Sequence, residues 1–205
     1  SSIIRTTYRD ATTLEVKMIP AQVPWNFTKG DTVDDRLLIM QPYFVHVPIE
    51  ALSTEHPLLI TCAHGLTRDW PVWFEDVQQL EELNRSVDQN PHSAIFVDAN
   101  TLEINTISAR GRKPTGGVLI YQRPVDLTGA QATLQVLDKE GGTVLLTLST
   151  ETSGLEIVGL GAISRTLSAA QTQALTWASG VYNLRVTYPD GTVHRYFSGR
   201  VTAHA

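Results

Sequence analysis

The feature that most constrains this chain is a period of two. In Tyr182-Asn183-Leu184-Arg185-Val186-Thr187-Tyr188 the apolar side chains alternate with polar ones. Successive side chains on a strand point to opposite faces, so this pattern predicts an antiparallel strand with one buried face. The next residues, Pro189-Asp190-Gly191, are a turn signal, because Pro presets φ and Gly accepts positive φ. Together they predict a hairpin that pairs 181–188 with 192–201. Similar short runs recur along the chain, among them 37–40, 43–47, 58–62, 94–97, 101–104, 118–121, 132–136 and 144–148. Most are rich in branched or aromatic residues and bounded by Gly, Pro, Asn or Asp.

Helical signals are few. Ser168-Ala169-Ala170-Gln171 has the capping-box pattern and opens a short helix through Leu175. Val77, Leu80 and Leu83 are spaced by three, which allows one or two helical turns within 75–85. Neither piece is long enough to cross over between parallel strands, which argues against an α/β fold. Closely spaced strands with turn signals between them predict an all-β sandwich or barrel. A chain of 205 residues with 42% hydrophobic and 18% charged residues can bury one large core or two small ones.

Composition also limits the chemistry. The formal net charge of −5 offers no global field to attract nucleic acid. The short basic run Arg110, Arg112 and Lys113 sits among glycines and a proline and reads as a solvated loop. The lone cysteine, Cys62, can form neither an intrachain disulfide nor a thiolate zinc cluster, and reads as a small buried hydrophobe. No apolar stretch approaches the ~20 residues of a membrane helix, and the N-terminus lacks the pattern of a secretory signal.

The six histidines form no short metal-binding pair. His64 could serve as a base only with a partner the sequence does not nominate; the alternative is a strand-end residue bonded to backbone at a turn. Asp31, Asp34 and Asp35 lack the spacing of a calcium loop and read as a solvated edge. No phosphate loop, dinucleotide fingerprint, nucleophile elbow or metal helix occurs. The expectation is no catalytic residue, no cofactor and no metal. Trp70-Pro71-Val72-Trp73-Phe74 is an aromatic concentration with three readings: core packing, with Val72 and Phe74 on one face and Trp73 on the other, a protein interface, or sugar stacking.

Two ordered sets of motifs carry resemblances. Pro124-Val125-Asp126-Leu127-Thr128-Gly129-Ala130, the strand 132–136, Leu167-Ser168-Ala169-Ala170-Gln171, Gly180-Val181-Tyr182 and Tyr188-Pro189-Asp190-Gly191-Thr192 together resemble the immunoglobulin-like domain of phage baseplate upper proteins. Phe27-Thr28-Lys29-Gly30-Asp31-Thr32 leading into 36–40 looks like the start of that domain, with some eighty residues intervening. The intervening segment is similar to a small β-barrel domain named for an insert in ubiquitin-activating enzymes. The similarity runs through Ile60-Thr61-Cys62-Ala63-His64-Gly65-Leu66, Pro71 to Val77, and Val97-Asp98-Ala99-Asn100-Thr101-Leu102-Glu103-Ile104. Trp70-Pro71 stands where that domain has Gly-Asp.

The resemblances imply an immunoglobulin-like β-sandwich of residues 18–41 plus 119–205, interrupted by an inserted β-barrel-like domain of residues 42–118. Residues 1–17 are read as an N-terminal arm ordered by a neighbour, or as a first strand of the sandwich. The implied function is non-enzymatic: a structural component or adaptor of a tailed bacteriophage particle, in the tail, neck or fibre-attachment region. Its partners would be other virion proteins, in multiple symmetric copies, with no nucleic acid or membrane. It would reside in the virion, and in the host cytoplasm during assembly. The alternative is a receptor- or carbohydrate-binding module at the tail tip. The candidate interface residues are Trp70, Trp73, Ile3, Ile4 and Tyr8.

Overall fold

The computed structural model describes residues 21–205 in full and, before them, the backbone of three strands: β1 (Ile4–Arg5), β2 (Thr7–Ala11) and β3 (Glu15–Ile19). The fold is all-β, as the alternating pattern predicts. The chain divides into two compact units, one formed by Ser1–Pro42 with Pro124–Ala205, the other by Tyr43–Arg123.

The first unit is a sandwich. It contains β4 (Ala21–Gln22), β5 (Trp25–Thr28) and β6 (Val33–Leu38) before the second unit begins. The second unit is built from β7 (Met40–Pro48), β8 (Ala51–Leu52), β9 (Leu58–Thr61), β10 (Trp70–Gln78), β11 (His92–Asp98), β12 (Thr101–Ile104) and β13 (Thr115–Pro124). The sandwich then resumes with β14 (Gln131–Leu137), β15 (Val144–Ser149), β16 (Leu155–Gly159), β17 (Ala162–Leu167), helix α1 (Ala169–Gln173), β18 (Ser179–Thr187) and β19 (Val193–His204).

One sheet of the sandwich has the order β1-β6-β17-β16 and the other β15-β14-β18-β19-β4, with β5 also on β19. Their inner faces share one core. Leu37 and Ile163 from the first sheet, with Ile39 just after β6, join Leu134, Val136, Leu184 and Phe197 from the second, all fully buried. Each such side chain contributes roughly 1.5–3 kcal/mol by leaving water. The predicted hairpin is β18–β19, with Tyr182, Leu184 and Val186 buried and Arg185 and Thr187 exposed. At its turn Gly191 takes φ +89° and the Asp190 carboxylate accepts a bond from the Thr192 amide at 2.9 Å. Helix α1 carries the predicted capping box, with Ser168 and Gln171 exchanging side-chain-to-backbone bonds at 3.1 and 2.8 Å.

The second unit has the order β7-β13-β10-β11-β12-β9-β8. Its two ends are one continuous stretch of chain. The Ile49 amide donates to the Gly117 carbonyl on β13 at 3.1 Å, and the Glu50 amide to the Thr61 carbonyl on β9 at 2.9 Å. The strand therefore changes partner at this point, which joins the two edges and makes the sheet barrel-like. At the corner Gly117 has φ +92°, and a Cβ there would lie 2.5 Å from Val77 Cγ2.

Two local expectations change. Residues 119–123 belong to the second unit, because β13 runs unbroken to Pro124 and pairs with β10 at Trp73↔Ile120 and Phe74↔Leu119. The helical spacing at 75–85 yields one 3-10 turn, Glu81–Leu83. Val77 instead ends a strand, where the Asn84 side chain bonds both its amide and its carbonyl at 3.0 Å. For the N-terminal segment, read as an arm or as a first strand, the backbone pairing lies within the chain: β2 pairs with β3 in a hairpin, and Ile4–Arg5 runs parallel to Leu37–Leu38. Ile3 and the side chains of Ile4 and Tyr8 lie outside the described residues.

Candidate functional site

The residues that looked most chemical in the sequence are committed to structure. Trp70 and Trp73 are 2% and 0% exposed. Trp70 Nε1 donates to the Gln122 carbonyl at 2.8 Å and Trp73 Nε1 to the Gln89 carbonyl at 2.9 Å. All of Trp70, Pro71, Val72, Trp73 and Phe74 are buried, so β10 lacks the simple alternation predicted for it. The outer side of the strand is covered by the segment that follows it. Arg85 returns a backbone bond to Phe74, Gln89 caps the Trp73 indole, and the Phe44 ring stands edge-on to Trp73 at 5.8 Å. Neither tryptophan forms an exposed patch, which removes the basis for an interface or a sugar platform at these two residues.

His64 is fully buried. The Leu66 amide donates to its Nδ1 at 3.0 Å, so the ring proton sits on Nε2, which donates to the Asp98 carbonyl at 2.7 Å. Tyr121 Oη donates to the His64 carbonyl. Both ring nitrogens are thus spent on backbone, which is the turn-holding role and leaves no free base. His92 is held in the same manner, with Nε2 bonded to the Leu83 carbonyl at 2.8 Å; burial lowers its pKa. Cys62 is buried, and its thiol is pushed up to about 11 by desolvation and by Glu50.

The acidic run is not a uniform solvated edge. Asp31 and Asp34 are exposed, but Asp35 receives a two-pronged bond from Arg165, at 2.8 and 2.7 Å. Arg165 is buried in the sandwich, with its guanidinium 4.1 Å over the Trp25 ring and 5.7 Å from that of Tyr182. Arg112 forms an exposed pair with Glu82, and Arg110 and Lys113 are exposed, as read from the sequence. Among the described residues no three His, Cys, Asp or Glu side chains gather into a metal-binding group. No helix of the described residues is long and apolar enough to cross a membrane.

What remains is a surface. On the outer face of the larger sandwich sheet lies a groove of about 310 Å³. Arg195 and Arg200 of β19 flank it, Gln22, Asn183 and Ser198 form its floor, and Glu140 stands at its rim. Strand pairing explains the grouping. Ser198 sits between Asn183 on β18 and Gln22 on β4, and Arg200 lies opposite Val181. A bulge between Leu184 and Arg185 shifts the register, so that Arg185 comes directly opposite Arg195. Gln22 Nε2 donates to Ser198 Oγ at 2.7 Å and fixes the floor.

The three arginines are exposed, and the ion pairs among the described residues are Arg112–Glu82 and Arg165–Asp35. Sequence reasoning missed this surface. Its signal was present only as polar positions on two alternating strands; the bulge that aligns Arg185 with Arg195 is not readable from spacing. Comparison with protein-family models finds no match to this chain, and comparison with curated proteins likewise finds none.

Proposed function

We propose that this chain is a non-enzymatic structural component of a tailed bacteriophage particle, joining other virion proteins in the tail, neck or fibre-attachment region. The observation that carries the reading is the division of labour among its polar groups. His64, His92, Asp35 and Arg165 are consumed by backbone or by each other, while Arg185, Arg195 and Arg200, which form no ion pair among the described residues, stand on an exposed sheet face. Such a face suits contact with another molecule rather than turnover of a small substrate. The ordered motif resemblances to phage modules support the same reading. Multiple symmetric copies would make individually weak contacts strong in sum.

The test is to purify particles made from the genome that encodes the chain and to probe them with an antibody against it. The expected result is detection at a fixed stoichiometry, with incomplete particles when the gene is deleted. Absence of the chain from intact, infective particles overturns the proposal.

A further inference from the structure

We infer that the arginine groove is the docking site for an acidic, carboxylate-rich segment of a partner protein; this rests on the proposed assembly role and gives it a surface. Arg185 and Arg195 face each other across β18 and β19. Like charges directly opposite on one sheet face destabilise it. The chain carries 21 acidic residues, yet among those described none forms an ion pair with Arg185, Arg195 or Arg200. An arrangement that costs the isolated fold something is satisfied when an anion enters. The planar guanidinium fork matches a carboxylate with two parallel hydrogen bonds.

The floor decides which anion. Gln22, Asn183 and Ser198 present neutral donors and acceptors suited to peptide groups. Arg195 and Arg200 make a short local positive patch, not the extended positive field on which binding of a phosphate backbone depends. Arg195 and Arg200 are five residues apart on one strand, a span of roughly 16 Å at the usual rise. That length fits a short stretch of extended polypeptide.

The test uses the purified full chain and a labelled glutamate decamer, read by fluorescence anisotropy, with a decathymidylate as the competing class. The decamer is expected to bind, to weaken at least tenfold in Arg195→Ala/Arg200→Ala, and to weaken severalfold when salt is raised. Arg110→Ala/Lys113→Ala is expected to bind like the parent. Arg195→Lys/Arg200→Lys, which keeps charge but loses the fork, is expected to fall between, and it serves as the readout if the alanine pair does not fold. Failure of the parent to bind the decamer, equal binding by both arginine variants, or tighter binding of the oligonucleotide overturns the inference. Decamer binding by a chain that is absent from particles would leave the groove standing and remove the virion role; the reverse result would remove the groove alone.

Discussion

Replacing Asp35 with Asn isolates the energetics of the buried arginine. Arg165 is 1% exposed and its charge partner is Asp35, which is 27% exposed. The substitution keeps shape, removes the negative charge and turns one of the two acceptor oxygens into a donor, so the buried guanidinium loses its counter-charge and half of its two-pronged bond, with the rings of Trp25 and Tyr182 against it. Breaking a buried pair from one side costs about 3–5 kcal/mol. The partial exposure of Asp35 lets water reach the vacated site, so the lower end applies, about 3 kcal/mol. For a sandwich unit of roughly 120 residues, an unfolding entropy near 2.1 cal/mol/K per residue converts this to a fall of about 12 °C in Tm. Differential scanning calorimetry measures it directly. The companion variant Asp35→Leu/Arg165→Met removes both charges and fills the space with apolar atoms. It is expected to recover most of the loss, because desolvating the pair offsets much of its attraction. The reasoning is refuted if Asp35→Asn costs under about 1 kcal/mol, or if the double variant is no more stable than the single one.

Three further outcomes follow from local geometry. Gly117→Ala places a Cβ 2.5 Å from Val77 Cγ2 at a φ of +92°, and is expected to destabilise the barrel-like unit by about 2 kcal/mol or more in a denaturant melt, whereas Gly111→Ala, where nothing lies within 4 Å, costs less. The folded-state pKa of His92 is lowered by burial, so the unfolded chain binds its proton first; stability present above the ordinary histidine pKa of about 6.5 is lost as pH falls through it toward the folded value. Melts at pH 8 and pH 5.5 should therefore differ, and His92→Gln should narrow the difference; an unchanged difference counts against this assignment. With its thiol raised to about 11, Cys62 should resist a thiol-specific disulfide reagent at pH 8 until denaturant is added, and rapid labelling of the native chain would contradict its burial.

The sequence by itself determined whatever depends on neighbours along the chain. Alternation in Tyr182 to Tyr188 specifies which face of β18 is buried, because a strand repeats every two residues wherever it is placed. Pro189-Asp190-Gly191 specifies the turn, and Ser168 with Gln171 specifies the start of α1, because those bonds close within a few residues. The all-β class follows from such local signals in aggregate.

Tertiary structure decided what depends on residues far apart. Trp73 sits on the side of β10 that alternation leaves outward, yet it is buried, because Gln89 and Phe44 come back over it. Part of that cover comes from the polar stretch that contains Gln89. Arg165 occupies a polar position in an ordinary strand and becomes a core residue because Asp35, 130 positions away, meets it. The facing arginines depend on a single bulge between Leu184 and Arg185. A one-residue change of register moves a side chain to the other face, and pairing across strands, not spacing along one, sets that register.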